Sequence, residues 1–314
     1  MPDPWSLCVT STHFAEHLET LRQHARIIHL QELVDGLENS ALPDRSVVIT
    51  FDDGYADNLH NAKRILERYD APATVFITTG YIGHSREFWW DTLEKLFLGP
   101  GRLPESLQLT IDGCVFHWEL GEAAYYDHST FWRHRRWRAN EDPPTPRHNL
   151  YRVLWKRLAL MADGERRRIV DELLAWAGVD PLVRSTHRSL SVEELRVLAS
   201  TELVGIGAHT VTHPALAALP AALQRDEVMQ SKTRLEELLE RPISWFAYPF
   251  GSSGTYAEES VALVRQAGFA AACSAVPGPV GLRTDRFQLP RLHVCDWDGD
   301  ELARQLSSLV PGAF

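Results

Sequence analysis

Two short apolar runs in this chain each break off into residues able to hold a metal or move a proton. Val47-Val48-Ile49 leads into Thr50-Phe51-Asp52-Asp53-Gly54, and Val204-Gly205-Ile206-Gly207-Ala208 leads into His209-Thr210-Val211-Thr212-His213. Apolar runs of this length read as buried strands. Open and barrel-like α/β sheets place their chemistry just beyond the carboxyl ends of such strands. One aspartate and two histidines converging there supply three ligands to a divalent metal and leave a coordination position open, as in a catalytic rather than a structural zinc site. A second carboxylate beside the ligand is the natural general base for the attacking water. The pattern points to metal-assisted hydrolysis on an α/β fold.

Strand–helix alternation surrounds both runs. Phe14, Leu18, Leu21 and Ala25 follow a helical period, with Ser11 or Thr12 as N-cap. Residues 47–51 read as a fully buried strand, 58–69 as a helix and 73–78 as the next strand, an order that argues for parallel pairing by a right-handed crossover. The texture changes after residue 84. Residues 107–118 alternate as a hairpin around Asp112-Gly113, Pro143-Pro144-Thr145-Pro146 breaks the chain, and helical patterns follow at 150–160 and 165–176. The chain thus divides into a first catalytic part, 1–84, an inserted subdomain, 85–190, and a second catalytic part, 191–314. The second part opens on Ser191-Val192-Glu193-Glu194, a capping-box spacing. Strands follow at 203–208, 244–248, 269–274 and 289–294, and helices at 220–239, 260–267 and 300–309.

A net charge of −10 and a pI near 5.8 argue against a nucleic-acid or anionic-membrane partner. The one basic cluster, Arg133, His134, Arg135, Arg136 and Arg138 among Phe131, Trp132 and Trp137, reads foremost as a solvated face of the insertion, and otherwise as a site for an acidic glycan or phosphate. Cys8, Cys114, Cys273 and Cys295 form no close pair, so neither a disulfide framework nor a zinc ribbon is implied. No apolar stretch approaches the ~20 residues of a membrane span, and the first residues have no secretory pattern. The chain as it stands reads as cytoplasmic, or as exported if its start is truncated. Oligomeric state leaves no sequence signal.

Each piece has a plain reading: Asp-Asp-Gly as a polar turn, a strand-end histidine as a hydrogen-bonded core residue, a proline-glycine turn at 249–251. Their conjunction is what carries information. His209 and His213 are four apart, so a helical turn puts them on one face. A zincin would need glutamate after the first histidine, and position 210 is threonine.

The motifs at 50–54 and 209–213 resemble the first two motifs of the polysaccharide deacetylases, the NodB-homology group of carbohydrate esterases, and Phe246-Ala247-Tyr248-Pro249-Phe250-Gly251 resembles the third. The resemblance runs from about Phe14 to Val294, interrupted by the insertion, while the family's opening strand is missing. It implies a distorted (β/α) barrel of NodB type with fewer than eight clean strands. It implies Asp53, His209 and His213 as ligands of a divalent metal, which suits zinc with cobalt or nickel as substitutes, and Asp52 as the base. The backbone N–H of Phe250 would hold the oxyanion, and Tyr248 in the same loop is expected at the oxyanion or substrate site. The family's arginine that orients the base is replaced by Ala247, and Arg291 is the residue expected to stand in for it. The acid expected on the last strand is His293, with Asp296 as its partner, and Trp90 and Asp91 are expected to line the substrate site. The implied activity is hydrolysis of an N-acetyl, or second an O-acetyl, group on an amino sugar of an acetylated glycan or glycoconjugate. Two rivals stand beside it: a same-fold hydrolase of a non-sugar C–N bond, and an inactive glycan-binding module.

Overall fold

The computed structural model describes residues 2–309. It divides into two compact units: Met1–Cys8 with Ser85–His187, and Val9–His84 with Arg188–Phe314. In the second unit the main sheet, among the described residues, has five parallel strands: β1 (Ile49–Phe51), β2 (Ala73–Ile77), β3 (Val204–Ala208), β4 (Trp245–Ala247) and β5 (Ala271–Cys273). Their spatial order follows their chain order. That is the winding of a β/α barrel, since a doubly wound sheet reverses its strand order at a switch point.

The register levels the strand ends. Ile77 on β2 lies opposite Ala208 on β3, and Ala208 lies opposite Phe246 on β4. The segments that follow these strands therefore emerge along one edge of the sheet. Side chains alternate across it as a strand dictates. Ala73, Val75, Ile77 and Phe246 face a core built with Leu18, Leu66, Leu195, Leu235 and Val264 from the covering helices. Phe76, Trp245 and Ala247 face the other side with Ile28, Val34 and Leu289. Gly207 on β3 makes this second packing feasible, since a Cβ there would lie 2.5 Å from the Phe76 ring.

The inserted unit holds together by itself. Its hairpin pairs Ser106–Ile111 with Cys114–Glu119 through Asp112 (φ 51°) and Gly113 (φ 74°), the left-handed pair that a two-residue type I′ turn needs. Buried Arg147 donates to the carbonyls of Leu96, Phe97 and Gly99, which close the helix Trp89–Leu98 and would otherwise lack donors. Arg184 makes a fork-like pair with Glu87 at 2.9 Å on both arms and reaches Glu94 at 2.5 Å, tying the start of the segment to its end.

Several elements differ from expectation. The run 47–51 is two strands rather than one, because Ser46–Val47 pairs with Arg26–Ile27 while β1 pairs with β2, and both pieces are only half-buried. The first helix, Ser11–His24, is capped by Thr10, whose hydroxyl accepts from the His13 N–H at 3.3 Å. The helix expected at 58–69 starts with a π turn, Asn58–Ala62. The strand expected at 289–294 is reduced to an isolated bridge between Leu289 and Cys273. Pro290 has no N–H to continue such a ladder, and the chain leaves the sheet there. Among the described residues no helix is long and apolar enough to cross a membrane.

Candidate metal centre

The sheet edge gathers three ligand-type groups. After β1 the chain turns through Asp53 (φ 71°) and Gly54 (φ 82°), and the Asp53 carbonyl accepts from the Thr78 N–H beyond β2 at 3.2 Å. After β3, His209 is almost fully buried. Its backbone N–H donates to Ile77, and its Nδ1 lies 2.7 Å from the Ala247 carbonyl, which directs Nε2 toward Asp53. Asp53 Oδ1 lies 3.6 Å from His209 Nε2 and 3.3 Å from His213 Nε2. With bonds of about 2.0–2.1 Å, the edge of a coordination tetrahedron is about 3.4 Å. The donor set, with all its ligand atoms within 4.8 Å of one another, therefore fits one divalent cation.

A loop rather than a helical turn brings the two histidines together. Thr210 (φ 63°) and His213 (φ 57°) are both left-handed, and the rings end 4.9 Å apart. The Thr210 hydroxyl accepts from the His213 N–H at 3.0 Å. Glu227, on the helix Ala221–Leu239, accepts from the N–H groups of Val211 and Thr212 at 2.7 and 2.9 Å, and from the Thr212 hydroxyl. No local spacing marks Glu227, because its partnership is purely tertiary.

Beside the cluster, Arg291 grips Asp52 with both arms, Nη1 to Oδ1 at 2.8 Å and Nη2 to Oδ2 at 2.9 Å. The same guanidinium donates to the Thr50 hydroxyl and, through Nε, to the Ser274 carbonyl at 2.7 Å. Burial would raise the Asp52 pKa, but Arg291, with His209 and His213 behind it, outweighs burial and holds the carboxyl down to about 2. Burial acts against the Arg291 charge as well, and Asp52 more than offsets it. Burial lowers the pKa of His209, favouring the neutral imidazole that a metal ligand must be.

The third motif forms the loop after β4. Phe250 (φ 61°) sets its ring edge-on to His213 at 4.8 Å. Gly251 (φ 59°) is required twice over, by its backbone angle and because a Cβ there would lie 2.5 Å from the Ala275 nitrogen. Tyr248 corrects an expectation. Its hydroxyl donates to Phe287 at 3.0 Å, its N–H donates to Cys273, and its ring is buried against Tyr256 at 4.2 Å, so it is a core residue and not a substrate contact.

Asp296 has contacts that the sequence did not suggest. It accepts from Thr10 and lies 2.8 Å from His13 Nδ1, so it also serves the start of the first helix. His293 is exposed. A strand at 289–294 would have set it on the face of Arg291 by side-chain alternation, and residues 290–294 form no strand. In the inserted unit, the Trp90 ring stacks on Phe88 at 4.5 Å, and the backbone carbonyl of Asp91 accepts from Arg184 at 2.8 Å.

Two carboxylates, two imidazoles and a clamping guanidinium at the carboxyl ends of parallel strands define an α/β protein with a candidate cation site. The chain matches the family model described as polysaccharide deacetylase over residues 39–99 and 183–272, and it belongs to that family. It is 34% identical over 88 residues to a poly-β-1,6-N-acetyl-D-glucosamine N-deacetylase of Staphylococcus aureus (strain N315). It is 37% identical over 88 residues to the protein of that name from Staphylococcus epidermidis. Each match covers 28% of this chain and spans 30% of the relative's length. Among solved structures, the deacetylase PplD of Streptococcus pyogenes in complex with acetate aligns at 16% identity and TM-score 0.57, over 97% of this chain and 89% of that one. IcaB from Ammonifex degensii aligns at 17% identity and TM-score 0.56, over 96% and 89%. At these identities the likeness is one of fold, a distorted (β/α) barrel of NodB type with an insertion.

Proposed function

We propose that this protein is a metal-dependent deacetylase that hydrolyses an N-acetyl group, in preference to an O-acetyl group, on an amino sugar of a polysaccharide or glycoconjugate. The observation that carries the reading is the Asp53–His209–His213 cluster with an arginine-clamped carboxylate, Asp52, next to it in the chain. Asp53, His209 and His213 would hold the cation, for which a carboxylate and two neutral imidazoles suit zinc, with cobalt or nickel as substitutes. When bound, the cation supplies Lewis-acid polarisation of the acyl carbonyl and of the attacking water. Asp52 does the proton transfer. Its low pKa keeps it ionised through the neutral range, and the two-armed pair with Arg291 fixes the direction of its oxygens. The Phe250 N–H is assigned to the developing oxyanion, and His293 to protonation of the leaving amine.

The names of the Staphylococcus relatives make poly-β-1,6-N-acetylglucosamine the first substrate to try. The test is acetate release from its oligomers and from β-1,4-linked N-acetylglucosamine oligomers by zinc-loaded protein, with Asp52→Asn as control. Release that depends on Asp52 supports the reading. No acetate from any acetylated glycan, by protein shown to contain stoichiometric metal, would sink it in favour of a non-sugar amide substrate or an inactive binding module.

A further inference from the structure

The segment 128–138 of the inserted unit is assigned no role in this chemistry. Helix His128–His134 contains no buried residue. Trp132 is 58% exposed, and Tyr125, just before the helix, is 67% exposed. The segment is nonetheless fixed at both ends. Asp127 caps it by accepting from the Thr130 N–H at 2.7 Å. Past the helix, Trp137 is buried with its indole N–H on the Asp142 carbonyl, and Arg138 donates to the Asp3 carbonyl. Between these anchors, Trp132, Arg133 and Arg136 are exposed to solvent.

That face has a defined chemistry. The Arg135 guanidinium lies 4.4 Å over the Trp132 ring and donates to the Trp132 carbonyl at 3.0 Å, which holds the indole in place. Arg133 and Arg136 are exposed. Between Asp127 and Glu141 the chain has four arginines and no carboxylate, on a protein of net charge −10.

We propose that this face binds an anionic polysaccharide, with a sugar ring stacked on Trp132 and carboxylate or phosphate groups of the polymer paired with Arg133 and Arg136. The indole offers the flat, rigid apolar surface that a sugar face needs, and arginine forks match carboxylate and phosphate. The proposal rests on the deacetylase reading only in taking the partner to be a polysaccharide. Charge density favours that partner over nucleic acid. A duplex carries a charge every ~1.7 Å and would be repelled by the acidic remainder of the protein. A glycan with one charge per one or two sugars engages the local arginines and little else. Each acetyl group removed from an amino sugar adds a positive charge, so the face also favours unprocessed polymer over product.

The test uses the full chain and binding calorimetry with hyaluronan oligosaccharides, which carry both carboxylates and N-acetylglucosamine. Neutral N-acetylglucosamine oligomers, chitosan oligomers, duplex DNA and phosphatidylglycerol vesicles serve as comparisons. Binding to hyaluronan should exceed binding to all four and weaken with salt. It should fall about tenfold in Trp132→Ala and by a similar factor in the double variant Arg133→Glu/Arg136→Glu. Acetate release from small neutral oligomers should be unchanged in both. Absence of hyaluronan binding at low salt, equal binding by the variants, or preference for DNA or vesicles overturns the proposal. Trp132-dependent hyaluronan binding by a protein that releases no acetate leaves this proposal standing and removes the deacetylase reading instead.

Discussion

Acid should loosen the inserted unit through one buried imidazole. His148 is 2% exposed, with Nδ1 2.8 Å from the Thr145 hydroxyl and Nε2 3.3 Å from the Tyr126 hydroxyl. Trp137 and His134 pack edge-on against its ring at 4.9 and 5.4 Å. Burial, with the positive charges of His134 and Arg147 adding to it, lowers its pKa from 6.5 to about 4. The folded state therefore refuses a proton that the unfolded state accepts below pH 6.5, so stability present above that pH is lost as pH falls toward 4. The full window of about 2.5 pKa units corresponds to about 3.4 kcal/mol, of which about 2 kcal/mol is lost by pH 5. The perturbation is His148→Gln, whose amide keeps a donor and an acceptor for Thr145 and Tyr126 but does not titrate. The assay is hydrogen exchange of the helix Pro146–Leu158, read by mass spectrometry at pH 7 and pH 5 after correction for intrinsic rates. Wild type should lose about 2 kcal/mol more opening free energy than the variant over that interval. Equal losses in the two proteins, or no loss in either, would refute the assignment of a neutral buried imidazole.

Three further outcomes are expected. Asp52→Asn should bind as much metal as wild type while turnover falls roughly 100-fold or more, the scale of a lost general base; near-normal turnover places the base elsewhere. His209→Ala and Asp53→Ala should each lose stoichiometric zinc by elemental analysis without global unfolding, and retained metal in both would remove the site as described. Gly207→Ala should destabilise by about 1–3 kcal/mol in urea, because its Cβ meets the Phe76 ring at 2.5 Å; an unchanged midpoint would show that the sheet relaxes around it.

Much of the fold was readable because it rests on local signals. The apolar runs before Asp52 and His209 became β1 and β3, Ser191 and Glu194 form the capping box that their spacing announces, and Asp112-Gly113 makes the hairpin turn. The failures share one cause. Whether 47–51 is one strand or two depends on the neighbour each half finds, Arg26–Ile27 for one and β2 for the other, and periodicity says nothing of neighbours. The stretch 289–294 has a strand's composition, but among the described residues only Leu289 forms a β-bridge, to Cys273. Tyr248 looked like a loop residue aimed at substrate, yet the Phe287 carbonyl, far along the chain, takes its hydroxyl into the core. The histidine pair was legible as a pair, whereas the two left-handed residues that bring the rings together were not.

Arg291 shows how a site of this kind can be built without the arginine expected in its third motif. Position 247 lies on β4, and alanine there is fully buried, its carbonyl taken by His209 and its side chain packed in the same cluster as Phe76, Cys273 and Leu289. The guanidinium that reaches Asp52 comes instead from position 291, passing 5.7 Å from the Phe76 ring and anchoring on the Ser274 carbonyl beyond β5. What the carboxylate responds to is the position and fork geometry of the cation, not the strand that delivers it. The route matters for rigidity. Nε holds Ser274 while the two terminal nitrogens hold Asp52 and Thr50, so a single side chain ties the segment after β5 to the end of β1, the two outer strands of the sheet. A lysine at 291 would offer a point charge without that fork, so the Asp52 carboxylate would keep a counter-charge and lose its fixed direction.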